Sequence, residues 1–187
     1  MLILASLSPR RKELLSRLAL PFTVIPAEVD ESGIRESDPE RAVLALSDLK
    51  AQAVAKDHPQ DLVLGADTVV SIDGRILGKP RDRADAKETL SLLSGRAHQV
   101  FSGFTLIKGE KRISRAVCTK VYFAPLKEEE IEWYLDSGEP FDKAGSYGIQ
   151  GLGGLFVSRI EGDYNNVVGL PLQAVYQVLK DEFGVEL

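Results

Sequence analysis

The sequence has few of the residues that build disulfides, zinc sites and redox centres. It contains one cysteine, Cys118, and two histidines, His58 and His98, which lie far apart. A single cysteine cannot form an internal disulfide, and two distant histidines lack the spacing of zinc ligands. We therefore expect no zinc site, and we expect a reducing compartment, with the cytoplasm as the default. Cys118 lies in an alternating stretch and is interpreted as an ordinary strand residue.

Long apolar runs and an excess of positive charge are also missing. No apolar segment approaches the roughly 18 residues that a membrane-spanning helix needs, and the first residues become polar too early for a secretory signal. The net charge of −5 disfavours nucleic-acid binding, because proteins that bind nucleic acids present a basic surface. With 44% hydrophobic residues, the chain can still bury a core. We therefore expect a globular protein with neither a membrane nor a nucleic acid as partner.

Three common catalytic and nucleotide-binding signatures are absent as well. The chain has no GxxxxGK[ST] phosphate loop, no GxGxxG fingerprint between a strand and a helix, and no GxSxG nucleophile elbow. These absences disfavour P-loop kinases, dinucleotide-binding enzymes and serine hydrolases.

Strand and helix patterns alternate along the chain and predict a mixed α/β fold with antiparallel hairpins. The expected strands are 2–5, 22–25, 62–64 resuming at 69–72, 98–107, 112–123 and 155–157. The expected helices are 9–18, 38–56, 85–93, 126–135 and 171–183. Asp73 and Gly74 form a strong hairpin turn. Because no linker or repeat interrupts the pattern, we expect residues 1–187 to form one domain, or two closely packed lobes.

A turn rich in hydroxyl groups, residues 6–11 (SLSPRR), leads from the first strand into the first helix. Ser8 is a favourable N-cap and Pro9 a favourable first helical residue. Arg10 and Arg11 lie in the first turn, where the helix dipole is already positive. A bound phosphate would resolve this conflict. A phosphate site and an ordinary solvated basic turn are equally compatible with these residues alone.

A carboxylate interrupts an apolar strand at residues 65–68 (GADT). Asp67 there would be unstable unless it is paired or bound to a cation. We interpret it as a metal ligand or a general base, with a turn-capping aspartate as the alternative. The hairpin at Asp73 should bring Lys79 opposite Thr68, and therefore beside Asp67. The alternative for Lys79 is a plain surface salt bridge.

Glycines are concentrated in and after residues 143–151 (KAGSYGIQG). Such a density indicates unusual backbone angles or a close approach to another group. Gln150 within this segment has an amide that both donates and accepts, as reading a nucleobase requires. A tight loop between sheets is the alternative.

Six segments together resemble the Maf family of nucleoside triphosphate pyrophosphatases. They are residues 6–11, 65–68, 79–80, 93–95, 143–151 and 168–172. Each segment is weak alone, but six in register over almost the whole chain are specific. The GADT and GIQG segments resemble the branch that acts on dTTP and UTP. The branch that acts on 7-methyl-GTP usually has Ser-Asp-Gln where this chain has Ala-Asp-Thr.

The resemblance implies hydrolysis between the α- and β-phosphates, which yields a nucleoside monophosphate and pyrophosphate in house-cleaning nucleotide metabolism. It implies an elongated, two-lobed mixed sheet flanked by helices around a central cleft, similar to the inosine triphosphate pyrophosphatase-like (Maf/Ham1) fold. It also implies a divalent metal, Mg²⁺ or Mn²⁺, and a homodimer. The family is associated with arrest of cell division.

The resemblance also assigns roles to individual residues. Asp67 would be the base and Lys79 would neutralise the leaving pyrophosphate, while Glu31 and Asp67 would hold the metal. Phosphates would be bound by Ser6, Ser8, Arg10, Arg11 and Lys50, and base choice would be set by Arg10, Thr68 and Gln150. Asp30 is an alternative to Glu31, and Lys50 has a solvated alternative. These cations matter because a triphosphate carries roughly four negative charges, of which Mg²⁺ offsets two.

Two other functions stay open at this point. The chain would fit a non-catalytic, nucleotide-binding regulator of cell division, or a purine pyrophosphatase of the inosine triphosphate type. Catalysis is favoured because binding alone does not require a buried carboxylate beside cations.

Overall fold

The computed structural model describes residues 1–186 and arranges them around one seven-stranded sheet. The strands are β1 (Leu2–Leu4), β2 (Phe22–Val24), β3 (Leu62–Ile72), β4 (Arg75–Leu77), β5 (Ala97–Lys108), β6 (Lys111–Phe123) and β7 (Val157–Glu161). Their order is β2-β1-β3-β5-β6-β7, with β4 also paired to β3. β1 is parallel to β2 and β3, and every other pair is antiparallel. The mixed α/β prediction is therefore confirmed.

Helices cover both faces of this sheet. They are α1 (Pro9–Ser16), α2 (Pro39–Ala55), α3 (Arg83–Leu93), α4 (Glu128–Asp136), α5 (Tyr164–Val168) and α6 (Leu172–Phe183). Apolar residues of α1 and α6 pack with Leu4 and Leu64, while α2 packs with Ile3 and Val63 on the opposite face. α3 and α4 form a further cluster around Val70. Within residues 1–186, no helix combines the length and apolarity needed to cross a membrane.

One edge of β3 is divided between two strands. β1 pairs with β3 at Leu62–Leu64, and β4 pairs with the same edge at Val70–Ile72. β5 occupies the other edge almost continuously. Among the described residues, no strand pairs with the β1/β4 edge of β3 between positions 64 and 70. This gap lies at the GADT segment and creates the opening described below.

Two glycines let α2 lie unusually close to the sheet. A Cβ atom at Gly65 would be 2.3 Å from the Ser47 carbonyl oxygen and 2.6 Å from the Ala51 nitrogen. A Cβ atom at Gly103 would be 2.5 Å from the Val43 carbonyl oxygen. The backbone of α2 therefore requires residues without side chains beneath it, and this contact sets the height of α2 above β3.

Several local predictions are confirmed. Ser8 caps α1 by accepting a hydrogen bond from the Arg11 N–H, and Pro9 is the first helical residue. The Asp73 hairpin forms, with Val70 opposite Leu77. The expected interruption of β3 at residues 65–68 is wrong, because β5 pairs with β3 through this segment and keeps it extended.

The expected strand at 155–157 is also wrong for most of its length. Leu152–Phe156 forms a short 3₁₀ helix, and β7 begins only at Val157. Phe156 is buried and packs edge-on against Tyr134, with ring centroids 5.0 Å apart, so tertiary packing overrides its strand preference. Helix α5 had not been predicted. The Asp163 side chain caps it by accepting the Asn165 N–H at 2.8 Å.

A neutral histidine is buried against the aromatic rings of Phe123 and Tyr147. Only 2% of His98 is exposed, and its Nε2 lies 2.7 Å from the hydroxyl of Tyr147. Its Nδ1 has no hydrogen-bond partner among the described residues. Burial lowers the pKa of His98 to about 4, so the folded protein keeps this ring uncharged at neutral pH.

We expect His98 to make the folded state sensitive to acid. The unfolded chain takes up its proton near pH 6.5, and the folded chain only near pH 4, so stability is lost as the pH falls through this window. Between pH 7 and pH 5 this amounts to about 2 kcal/mol of unfolding free energy. Urea unfolding of wild type and His98→Gln at both pH values measures it. The drop should shrink in His98→Gln and persist in His58→Gln; equal drops in all three proteins would contradict the assignment.

Candidate functional site

The gap beside β3 opens into a cleft of about 1100 Å³. Its walls come from the N-terminal turn, α2, the middle of β3, the segment after β4 and the glycine-rich segment. All ten site residues expected from the sequence line this cleft: Ser6, Ser8, Arg10, Arg11, Glu31, Lys50, Asp67, Thr68, Lys79 and Gln150. The fold thus brings together residues that are spread over most of the chain. Their individual roles stay predictions.

Lys50 is the cation that pairs with the carboxylate of Asp67. Its Nζ donates to Asp67 Oδ1 at 2.6 Å and lies 2.9 Å from Glu31 Oε1. The side chains of Lys50 and Asp67 are each only 14% exposed. Two carboxylates therefore converge on one positive charge at the gap in β3, and the solvated alternative for Lys50 is wrong.

The expected position of Lys79 beside Asp67 requires correction. β4 ends at Leu77, so the hairpin register does not continue to Lys79, and within residues 1–186 Thr68 has no strand partner on the β4 edge of β3. Lys79 is exposed on the wall of the cleft and makes no ion pair within residues 1–186. The alternative of a surface salt bridge is therefore also not observed.

Glu31 is better placed than Asp30 to serve the site. The carboxylate of Asp30 caps the short 3₁₀ helix Glu31–Gly33 by accepting the Ser32 N–H at 2.9 Å. Asp30 does not line the cleft, whereas Glu31 does. No cluster of three histidine, cysteine or acidic residues suited to a metal occurs in the described part of the chain. The carboxylates that meet at Lys50 are those of Glu31 and Asp67.

Arg11 is locked against the wall of the cleft by three hydrogen bonds. Its Nε donates to the Gly169 carbonyl at 2.9 Å, and its two terminal nitrogens reach Ser6 Oγ at 3.4 Å and Thr68 Oγ1 at 3.2 Å. Burial lowers the pKa of Arg11, and the charge of Asp67 partly reverses this effect. A guanidinium stays protonated at neutral pH, so Arg11 presents a fixed positive charge. Gly169 reaches this position with a φ of 137°.

A chain of hydrogen bonds fixes the direction of the Thr68 hydroxyl. Ser102 Oγ donates to the Asn166 carbonyl at 3.0 Å, and the Thr68 hydroxyl lies 2.7 Å from Ser102 Oγ and 3.3 Å from the Gly169 carbonyl, so both possible acceptors of its proton are in the wall of the cleft. Asn166 is fully buried, and its amide donates to the Val100 carbonyl and to Thr119 Oγ1. Thr68 therefore faces the cleft mainly as an acceptor. Neither Ser102 nor Asn166 is among the site residues expected from the sequence. The signal for Ser102 is a polar residue within the apolar 98–107 strand, since a buried hydroxyl needs a hydrogen-bond partner.

Gln150 lies on a loop that other side chains hold in place. Glu139 accepts hydrogen bonds from the backbone of this loop, and Tyr134 bonds to both the loop and Glu139. Lys143 donates to Asp142 at 2.7 Å along the same wall. Tyr134 and Glu139 are not among the site residues expected from the sequence, because they lie outside the segments that resemble the family.

We expect Lys50→Met to destabilise the protein by about 2–3 kcal/mol, because it leaves the poorly exposed Asp67 carboxylate without a partner. Asp67→Asn in the same chain should restore most of that loss, since no charge then remains to be paired. Urea unfolding at pH 7 measures both. Arg17→Met, which breaks an exposed ion pair with Glu13, should change stability little. A double variant no more stable than Lys50→Met would contradict the pairing.

Comparisons with known proteins agree with this architecture. A solved HAM1 protein structure from Coxiella burnetii aligns with a TM-score of 0.54 over 96% of this chain and 98% of the other, at 14% identity. At this identity the likeness concerns the fold alone. It confirms the expectation of a Maf/Ham1-like arrangement of helices around a mixed sheet.

Sequence relatives are much closer. A protein of Symbiobacterium thermophilum is 50% identical over 183 residues, which cover 98% of this chain and 94% of the relative. A protein of Bacillus cytotoxicus is 53% identical over 178 residues, 95% of this chain and 93% of the relative. A protein of Bacillus anthracis is 49% identical over 186 residues, which cover 100% of this chain and 97% of the relative. All three are named dTTP/UTP pyrophosphatase. The family model of Maf-like proteins matches residues 1–182, and the chain belongs to this family.

Proposed function

We propose that this protein hydrolyses dTTP and UTP, together with modified pyrimidine nucleotides, to the nucleoside monophosphate and pyrophosphate. The observation that carries the proposal is the poorly exposed Asp67 carboxylate, held by Lys50 in the same cleft as Arg11 and Gln150. The names of the relatives support the same substrates. A house-cleaning role and a link to cell division follow from the family resemblance.

The N-terminal turn and α1 suit the triphosphate. Arg11 supplies a positive charge that does not move, because three hydrogen bonds hold it. Arg10 lines the cleft beside it and makes no hydrogen bond or ion pair within residues 1–186. Ser6 and Ser8 add hydroxyl groups at the start of α1, where free N–H groups favour phosphate. An acidic protein can thus bind an anion through a local concentration of cations.

Glu31 and Asp67 fit a divalent cation, Mg²⁺ or Mn²⁺. Their carboxylate oxygens are the ligands these ions prefer, and both already lie within 3 Å of the Lys50 ammonium. When bound, the metal would lower the pKa of water and polarise a phosphate. Since the ammonium and the metal suit the same carboxylates, Lys50 would then be released to contact phosphate.

Asp67 is the proposed general base. Its carboxylate accepts the proton of a water molecule whose oxygen bonds to the α-phosphorus, while the bond from that phosphorus to the bridging oxygen breaks. The electron pair leaves with pyrophosphate. Lys79, exposed on the wall of the cleft, neutralises the charge that develops on this leaving group.

Gln150, Thr68 and Arg10 are proposed to select the base. The Gln150 amide can donate to O4 and accept from N3–H of thymine or uracil, whereas cytosine presents the opposite pattern. Thr68 acts mainly as an acceptor, since the two acceptors within reach of its proton, Ser102 Oγ and the Gly169 carbonyl, both lie in the wall of the cleft.

We further propose a cytoplasmic homodimer. Cys118 carries an exposed free thiol on β6, which suits a reducing compartment. Partial burial still raises the pKa of this thiol, which disfavours a nucleophilic role. The dimer rests on the family resemblance alone.

Pyrophosphate release from dTTP, UTP, CTP and ITP, with Mg²⁺ and with EDTA, tests the activity. We expect Asp67→Asn to lower kcat for dTTP by about 100-fold or more, because it removes the base and a metal ligand. Asp73→Asn is the matched control, because Asp73 is an exposed hairpin carboxylate paired with Arg96. This variant should keep the wild-type kcat. Near wild-type turnover by Asp67→Asn would refute its role. Nucleotide binding without turnover would point to a regulator, and a preference for ITP to a purine enzyme.

We expect Gln150→Ala to lower the preference for UTP over CTP, measured as the ratio of kcat/KM, by about tenfold. The loss arises because a paired donor and acceptor no longer face the base. Gln177→Ala is the control, because Gln177 is an exposed glutamine on α6 that donates a hydrogen bond to Asp181. This variant should keep the wild-type ratio. An unchanged ranking of bases in Gln150→Ala would refute the assignment.

A further inference from the structure

The loop around Gln150 is anchored by two side chains outside it. The Tyr134 hydroxyl accepts the Gly148 N–H at 3.1 Å and donates to Glu139 Oε1 at 2.7 Å. The other side of the loop is held by the same carboxylate, which accepts the Leu152 N–H at 2.9 Å and the Gly153 N–H at 3.1 Å. We call Tyr134 and Glu139 the clasp. The backbone is thus bound on both sides of Gln150.

Two glycines of this loop lie in close contact with the clasp. A Cβ atom at Gly151 would lie 2.2 Å from Glu139 Oε2, and one at Gly153 would lie 2.7 Å from the Tyr134 hydroxyl. Neither glycine has a positive φ. Close approach therefore explains these glycines, and backbone conformation does not. A loop that merely connected two elements would not need to press against a carboxylate in this way.

The clasp is itself rigidly supported. Tyr134 is fully buried in α4 and packs edge-on against Phe156. Burial raises the pKa of Glu139, but the hydrogen bonds from Tyr134, Gly153 and Leu152 outweigh it and hold the pKa below its ordinary value. Glu139 is therefore a charged acceptor at neutral pH, and hydrogen bonds to a charged acceptor are stronger than neutral ones.

We propose that Tyr134 and Glu139 are positioning residues for nucleobase selection, acting through the backbone on either side of Gln150. Fixing this backbone in advance removes the ordering that the loop would otherwise undergo on binding, and it sets the direction of the Gln150 amide. The contribution to base choice rests on the proposed function, whereas the anchoring of the loop does not.

Tyr134→Phe is the main test, because it removes one hydroxyl and keeps the ring that packs on Phe156. Hydrogen–deuterium exchange of the free protein should show the amides of Gly148, Leu152 and Gly153 exchanging about tenfold faster than in wild type. In steady-state kinetics, the ratio of kcat/KM for UTP to that for CTP should fall about tenfold through a higher KM for UTP, with kcat kept within about twofold.

Glu139→Gln provides a second variant. It keeps the size of the side chain and one accepting oxygen. The NH2 group that replaces the other oxygen cannot accept a backbone N–H of the loop, and the negative charge is lost. We expect an effect on exchange and on the UTP/CTP ratio of the same sign as in Tyr134→Phe. Thr105→Val is the control for loss of a buried hydroxyl, because Thr105 bonds only Ser47 and Ser114 away from the loop. It should keep the wild-type ratio.

The possible results separate the two proposals. Faster exchange with a reduced ratio in both clasp variants supports the positioning role. If hydrogen–deuterium exchange in Tyr134→Phe is the same as in wild type, the positioning role is overturned, whatever the activity of the variant. An equal loss of kcat for all nucleotides, with the ratio intact, also overturns it and leaves a structural role. If wild type releases no pyrophosphate or does not discriminate bases, the proposed function fails, and the role in base selection falls with it, while the exchange result still tests the anchoring.

Discussion

The site depends on one constraint, the division of a single edge of β3 between β1 and β4. Because the two strands do not meet, the middle of β3 is left without a neighbour on that side, although β5 keeps it extended from the other. Asp67 and Thr68 lie in that opening. A fully paired sheet would leave no room for a ligand at this point, and a broken β3 would not hold the two side chains in a fixed relation.

The charges around the opening are arranged for binding more than for stability. Lys50 neutralises two carboxylates that would otherwise repel each other, and such poorly exposed pairs contribute little net stability because desolvation offsets their attraction. Arg11 is held in the wall of the cleft by Ser6, Thr68 and Gly169. The cleft therefore combines a fixed cation, Arg11, with the poorly exposed ion pair of Lys50 and Asp67, and this arrangement supports the proposed binding of a nucleoside triphosphate.

Two groups of glycines serve the site in the same physical way. Gly65 and Gly103 admit the backbone of α2 close to the sheet, which brings Lys50 to Asp67. Gly151 and Gly153 admit the clasp to the loop of Gln150. In both cases a methyl group would collide with backbone or with a hydrogen-bonded side chain. The absence of a side chain at these glycines thus sets the spacing between the functional groups.

The sequence by itself determined what depends on neighbouring residues and on recognisable motifs. It predicted the cap at Ser8, the hairpin at Asp73, the mixed α/β class and the residues that line the cleft. Only the tertiary structure decided which lysine pairs with Asp67. β4 ends before Lys79, whereas Gly65 allows α2 to pack close to β3, so that Lys50 of α2 reaches Asp67. It also decided the roles of Ser102 and Glu139. The hydrogen bond of Ser102 to Asn166 joins segments 64 residues apart, and Glu139 accepts from residues 13 and 14 positions further along; no local pattern specifies either contact.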